Sequence, residues 1–536
     1  MNRERLAIAL SVLAGLLGVG IVLVSTHWGP GIGGDATIYL VSTRNLLEGN
    51  GLGLITAGGE FRLLPYFPPF FPLLLSLFGL LGADLVAAAY WLNAILFGGL
   101  VCLAAWVTYR TSHKLVFALL AGGLMLASPV LVPVYSWAMS EPLAILLGFA
   151  SLALLLDYFR RENGERILLL SALLAGLSVI TRYSSAAFLG AGGLGIFLLS
   201  RSPWRKRLAD SILYGLTGAT PLLVWGIYDL TQTATLSSRS VESTTSMLDR
   251  LANFWPQLRE VILFWLVPDS WISAPPYPAL ANRLLVILLL VVLAAWMAWA
   301  LRQRGSGEAV LGEPLANLAA LLGLFALAYA LVIFAVYVTT YPPITIASRM
   351  LSPVHVAVLW LAVVLSALTV ERLKAVPLVR LALPAVLVVL LAWYGWRTFR
   401  IVEQNYALGL GYTSLAWQSS DTMQAVRQLP ADTPIVTNEE TAILFLTGRA
   451  AYPMMEIFSD RPDTNFYRYG EGYTVDDPAQ GLFREDGAAL VLFDSLTSQL
   501  TPIYAEQAAE RAASLTEGLY PAFQGEDGAI YYYQAP

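Results

Sequence analysis

Residues 1–39 read MNRERLAIALSVLAGLLGVGIVLVSTHWGPGIGGDATIY, and this stretch decides the fold. A charged start at Arg3, Glu4 and Arg5 gives way to an apolar run from Leu6 to Thr26, followed by glycines and a carboxylate at Asp35. At about 1.5 Å of rise per residue, a helix over that run crosses a hydrocarbon core of roughly 30 Å. The run is longer than a signal-peptide core. HWGPGIGGD, which follows it, offers no small-x-small cleavage site, so an uncleaved first span is expected.

The same texture continues outward. The chain has 536 residues, of which 57% are hydrophobic and 13% charged, and its mean hydropathy is +0.64. Most of this apolar surface lies in runs of membrane-crossing length, so the bilayer rather than a soluble core is the main solvent. Spans are expected near 6–26, 85–109, 115–132, 142–159, 167–181, 183–200, 209–229, 284–301, 315–338, 353–370 and 381–396. The runs 167–181 and 183–200 are short and meet at TRYSS. They form either two crossings or a broken hairpin whose freed backbone must face protein or water.

Lysine and arginine set the expected orientation. With the N-terminus in the cytoplasm, every second loop is basic: Arg110 and Lys114; Arg160, Arg161 and Arg166; Arg201, Arg205, Lys206 and Arg207; Arg302 and Arg304; Arg372, Lys374 and Arg380. The intervening segments 27–68, 133–141, 230–283, 339–352 and everything after about 397 then lie outside. From about 401 the pattern becomes soluble α/β: PIVTNEETAILFLTGR as strand then helix, GAALVLFDS as a strand, TPIYAEQAAERAASLTEGL as a helix and GAIYYYQ as a final strand. The expected architecture is an α-helical polytopic membrane protein of about eleven spans over 1–400. It carries interfacial helices in the outer loop 27–84 and a small extracytoplasmic α/β domain over 401–536.

Charge and composition also exclude function classes. The net charge of −5, with no basic tail, argues against a nucleic-acid partner. Cys102 is the only cysteine and sits in an apolar run, so no intrachain disulfide or cysteine metal site can form. His27, His113 and His355 are scattered without ligand spacing, and His355, inside a span, reads as a hydrogen-bonded core residue. No cofactor is expected, and assistance by a divalent ion is left open.

The chemistry-bearing residues collect at the expected outer ends of spans. GGDATIYLVSTRNLLEGNGLG (33–53) reads as an interfacial helix from Asp35 to Glu48, where Asp35 is either a first-turn acid favoured by the helix dipole, a functional carboxylate, or both. In WAMSEPLAILLGF (137–149), Glu141 opens a span ahead of Pro142, as a capping acid or as a charge facing a cavity. Arg62, Arg182 in GLSVITRYSS (176–185) and Arg349 in YPPITIASRMLSPVHV (341–356) are outer-face arginines. They either snorkel at helix ends or present guanidinium groups to an anion. The loop 230–283 has a polar first half and an aromatic-rich helix in its second half, serving as an anchored connection or as a gate.

In their order, these motifs resemble the GT-C superfamily of membrane glycosyltransferases, most of all the protein O-mannosyltransferases and the lipid A aminoarabinose transferases. The resemblance rests on Asp35, Tyr39, Arg44, Leu47, Gly49 and Gly51, then Tyr66, Pro68, Pro69 and Pro72, then Ser140, Glu141, Pro142 and Leu143, then Arg182 and Tyr183, and on Arg349 four residues before Pro353. It is best over the first 200 residues. It implies a polyprenyl-phosphate sugar as donor, a lipid, glycan or protein acceptor, and inverting transfer on the outer face of a bacterial or archaeal plasma membrane. It further implies Asp35 as base, with Glu141 beside it, phosphate binding by Arg62, Arg182 and Arg349, and a substrate pocket that includes Tyr39, Tyr66 and Tyr183. One departure stands out: Ala36 follows Asp35 where the mannosyltransferases carry a second acid. A secondary transporter of a polar or lipid-linked substrate is the alternative, although the acids sit at loop junctions rather than in mid-span.

Overall fold

The computed structural model describes residues 3–64, 67–161, 164–233, 247–268, 314–339, 344, 346–372, 377–454 and 482–535. Its membrane part is built from helices α1 (Arg3–Ser25), α2 (Gly34–Leu47), α3 (Phe70–Leu80), α4 (Leu85–Ser112), α5 (Leu115–Leu126), α6 (Leu131–Ser136), α7 (Glu141–Tyr158), α8 (Glu165–Val179), α9 (Ala186–Leu199), α10 (Trp204–Thr233), α11 (Met247–Leu266), α12 (Pro314–Thr339), α13 (Ser352–Arg372) and α14 (Pro377–Leu408). Seven of the described helices are long and apolar enough to cross a membrane. Each expected span falls on a helix, except that near 284–301, which lies outside the described residues together with Arg302 and Arg304.

Local chemistry explains where the boundaries differ. The span expected over 115–132 ends at Leu126. Pro129 disfavours helical backbone at Ser128, whose hydroxyl instead accepts from the Val130 and Leu131 N–H groups (3.3 and 3.1 Å) and starts α6. At the other end of the chain, α14 runs past position 401 and stops at Leu408, where Gly409 takes a φ of +76°. The helix expected from Asp35 is present as α2. Ala36–Leu40, Ser42, Thr43 and Asn45 are buried, so protein covers most of its circumference.

Without a hydrophobic drive between helices in lipid, packing depends on close approach, and small residues supply it. At Gly15 and Gly98, α1 and α4 approach so closely that an added Cβ on either would strike the other's carbonyl. Phe149, Phe188 and Phe325 fill the centre, with Phe188 stacked on Phe325 at 4.0 Å, and Trp360 Nε1 donates to Thr108 Oγ1 (2.8 Å). His355 is buried and shares a 3.0 Å hydrogen bond with Ser128. At the end opposite Asp35, Arg110 pairs with Asp157 (2.6 Å), Lys206 with Asp210 (3.5 Å) and Lys114 with Glu371 (3.9 Å).

After α14 and the short α15 (Leu415–Gln418) and α16 (Asp421–Gln428), strands β3 (Ile435–Thr437), β4 (Tyr452–Pro453), β5 (Ala489–Phe493), β6 (Tyr520–Gln524) and β7 (Gly528–Tyr532) form one sheet. Its order is β4-β3-β5-β7-β6, parallel across β4, β3 and β5 and antiparallel beyond. All five positions of β5 are buried, as a strand covered on both faces requires. Helices α17 (Glu440–Thr447), α18 (Ser495–Tyr504) and α19 (Ala508–Ser514) complete the unit, and the last two break the single helix expected there. The outer loop 27–84 adds a hairpin of β1 (Gly53–Ile55) and β2 (Phe61–Leu63).

The sheet unit is tied to the loop ahead of Asp35. Gly411, at φ +53°, bridges Ile32, the Tyr412 N–H donates to Ile32 O (2.8 Å), and the Thr413 hydroxyl donates to Pro30 O (2.8 Å). A side chain at Gly411 would collide with the Ile32 carbonyl, so this contact requires glycine.

Candidate active site

The site is assembled from four chain segments at one end of the bundle. Gly31 lies against the Trp137 indole so closely that no Cβ fits, and its N–H and carbonyl bond to Ser136 O and the Ala138 N–H (2.8 and 2.9 Å). That contact fixes the entrance to α2, and Asp35 stands in its first turn. Glu141 opens α7 directly after Ser140, and both are essentially buried. Arg182 follows α8 and precedes the turn Tyr183–Ser185. Arg349 stands in the turn leading into α13.

These residues form an alternating chain of charge. Arg349 Nη2 donates to Asp35 Oδ2 at 2.8 Å, its Nε lies 3.2 Å from Glu141 Oε1, and Arg182 Nη1 lies 3.0 Å from that same oxygen. A carboxylate 1% exposed is costly unless opposite charge accompanies it, and two guanidinium groups supply that here. Glu141 Oε2 is buried and has no hydrogen-bond partner among the described residues. The pair of Asp35 and Arg349 is the open end of the chain, with side chains 38% and 39% exposed.

Neutral groups hold the charged ones. The Tyr39 and Ser140 hydroxyls bond at 2.9 Å, and Tyr39 packs edge-on to Phe67 and Phe71. Burial pushes the Tyr39 phenol well above its ordinary range, against the pull of Arg182, so it stays protonated. For Arg182, burial opposes the charge, but Glu141, with Asp35 further off, outweighs it and holds the guanidinium above its usual value. Tyr329 donates to Met350 O (2.8 Å) and bonds Ser184 (3.1 Å), linking the Arg182 turn to the Arg349 turn.

A cavity of about 600 Å³ opens beside this cluster. Arg349, Gln257 and Glu260 meet it with polar groups, while Pro129, Pro133, Trp137 and Phe264 give it apolar walls.

The expected site residues separate into groups. Asp35, Glu141, Arg182, Arg349 and Tyr39 come together. Tyr183 turns toward α10, where its hydroxyl accepts from Trp225 Nε1 (3.0 Å) and burial pushes it up to about 12. Arg62 sits on the exposed strand β2, away from the cluster, and Tyr66 lies outside the described residues. Tyr329 and Gln257 were not singled out from the sequence, and Ser140 entered only as part of the motif around Glu141. A tyrosine within an apolar span is the one signal that pointed to Tyr329.

Residues 67–227 match the family described as dolichyl-phosphate-mannose-protein mannosyltransferase. That segment is similar to the mannosyltransferase family. The matched segment contains Glu141 and Arg182, whereas Asp35 and Arg349 lie on either side of it. No curated protein matches its sequence. Its fold is similar to the Archaeoglobus fulgidus oligosaccharyltransferase in the apo form, at TM-score 0.55 and 13% identity, over 98% of this chain and 74% of that one. It is also similar to AglB from the same organism in complex with an inhibitory peptide and a dolichol-phosphate, at TM-score 0.51 and 13% identity over the same shares. ArnT from Cupriavidus metallidurans in the apo state aligns over 98% of both chains at 13% identity, with a TM-score of 0.49. At such identities the likeness is one of fold.

Proposed function

We propose that this protein is a glycosyltransferase that moves a sugar from a polyprenyl-phosphate carrier to an acceptor hydroxyl, with Asp35 as base and with inversion at the anomeric carbon. The observation that carries the reading is the placement of Arg349, which lines the apolar cavity and also holds Asp35 at 2.8 Å. A lipid phosphate in that cavity brings its anomeric carbon to the exposed end of the charge chain. Dolichol-phosphate in the AglB complex is a ligand of this chemical class.

The reaction follows from the groups present. Arg349, with Arg182 behind it through Glu141, meets the phosphate oxygens and stabilises the charge that grows there as the bond from sugar to phosphate breaks. Asp35, released from Arg349 by the competing phosphate, accepts the proton of the acceptor hydroxyl as its oxygen attacks the anomeric carbon. A single displacement from the face opposite the phosphate inverts that carbon. The products are a glycosylated acceptor, a polyprenyl phosphate and a protonated Asp35.

The basic loops at the opposite end support a cytoplasmic placement of that end, with Asp35 and the C-terminal sheet unit outside. Nucleotide sugars stay in the cytoplasm, so a donor carried within the bilayer fits an outward site. The docking of α17 and the 411–413 turn beside α2 and the loop ahead of it supports a role for the sheet unit on the acceptor side. The test is transfer from radiolabelled polyprenyl-phosphate sugars by purified full-length protein. Transfer that Asp35→Asn abolishes is expected, and equal turnover by the two proteins removes Asp35 as base.

A further inference from the structure

α11 lies along the cavity and is clasped at three points. Near its start, Arg250 Nη1 donates to Val338 O (2.7 Å). At its end, Arg397 donates to Phe264 O and Trp265 O (2.8 and 3.1 Å), and Trp393 Nε1 donates to Leu266 O (2.7 Å). Between these clasps stands Gln257, whose Nε2 donates to the Tyr337 hydroxyl (3.3 Å) and whose Oε1 accepts from the Ile346 N–H (3.0 Å).

Two further facts single out this glutamine. Gln257, Glu260, Val261 and Phe264 follow i, i+3, i+4, i+7 spacing and form the face of α11 that lines the cavity. Pro256, immediately before Gln257, removes a helical hydrogen bond there, so α11 is weakest between its end clasps. Ile346 is 5% exposed and lies three residues before Arg349. The far side of the same turn is held by Tyr329 on Met350 O and by the Ser352 hydroxyl on Arg349 O (2.7 Å).

We propose that Gln257 is a positioning residue for Arg349. Its amide joins the cavity wall to the turn that carries the guanidinium, so that the two move as one body and Arg349 is already aimed when a lipid phosphate arrives. The inference rests on the donor reading above. Without the amide, the nearly buried Ile346 N–H loses its acceptor and the turn is held from the Tyr329 side alone.

Equilibrium binding of farnesyl phosphate to the full-length protein in detergent tests this. Gln257→Met is expected to weaken binding about tenfold. In an Arg349→Met background, Gln257→Met is expected to change nothing further, because the residue acts through Arg349. Unaltered binding by Gln257→Met, beside a weakened Arg349→Met, overturns the inference alone. Additive losses in the double variant also overturn it, since they mark a general structural role. Failure of the wild type to bind, or unaltered binding by Arg349→Met, overturns the donor reading and this inference with it.

Discussion

Asp35 and Arg349 meet at 2.8 Å across 314 positions of chain. Each is the other's counter-ion while the cavity lacks an anion, and both are exposed enough for a ligand to reach. In the proposed reaction, a phosphate that takes over the guanidinium leaves the carboxylate free for a proton, so binding of the donor would ready the base.

Asp35→Asn keeps the shape and hydrogen-bonding reach of the side chain but removes its charge and basicity. Transfer is expected to fall by about 10²–10⁴-fold, the range of general-base catalysis. Affinity for farnesyl phosphate is expected to hold or rise, because Arg349 is freed. Rate and binding measured on the same preparation check both.

Glu141→Ala leaves Arg182 and the Arg349 Nε without the carboxylate oxygen they share at 3.0 and 3.2 Å. Breaking a buried pair by removing one partner costs about 3–5 kcal/mol. A fall in the unfolding temperature of the detergent-solubilised protein, larger than that of Arg62→Ala, is the expected outcome.

Gly31→Val sets side-chain atoms where the Trp137 indole stands. The loop must shift and α2 with it, and a displacement of about 1 Å at a reacting group can cost around 10²-fold in rate. Expression and membrane insertion are expected to survive while turnover falls. Gly49→Ala, at a positive φ but in open space, serves as the comparison.

Burial pushes Glu440, at the start of α17, up to about 7 from an ordinary 4.5, with Glu439 adding to the effect and its own backbone N–H opposing it. The folded protein therefore holds a proton over a range where the unfolded chain has lost it. Stability from this group is fully present below about pH 4.5 and declines as pH rises through 7, by at most about 3 kcal/mol. Thermal unfolding followed from pH 5 to pH 8 is expected to show the decline, and Glu440→Gln to flatten it.

Much of this molecule can be read from letters alone, and the reason is the bilayer. A charge beside an apolar run is expensive, so Asp35, Glu141, Arg182 and Arg349 stood out, and the structure gathers all four. Arg62 satisfied the same rule less well than it appeared to, because a long outer loop has water at hand and the cost argument loses force there. Tyr329 and Gln257 escaped because they act on backbone groups 21 and 89 positions away, whereas periodicity reports only on neighbours along the chain. The early end of α5 was legible in Ser128 and Pro129 but was overridden by the apolar letters on either side.

The bonds between the 411–413 turn and the loop ahead of Asp35 join positions as far as 383 apart, the Thr413 hydroxyl reaching back to Pro30 O. Synthesis proceeds from the N-terminus, so the loop leading to Asp35 waits for its partner until Gly411–Thr413 has left the ribosome. A product truncated before Gly411 would insert its helices and still lack the clasp.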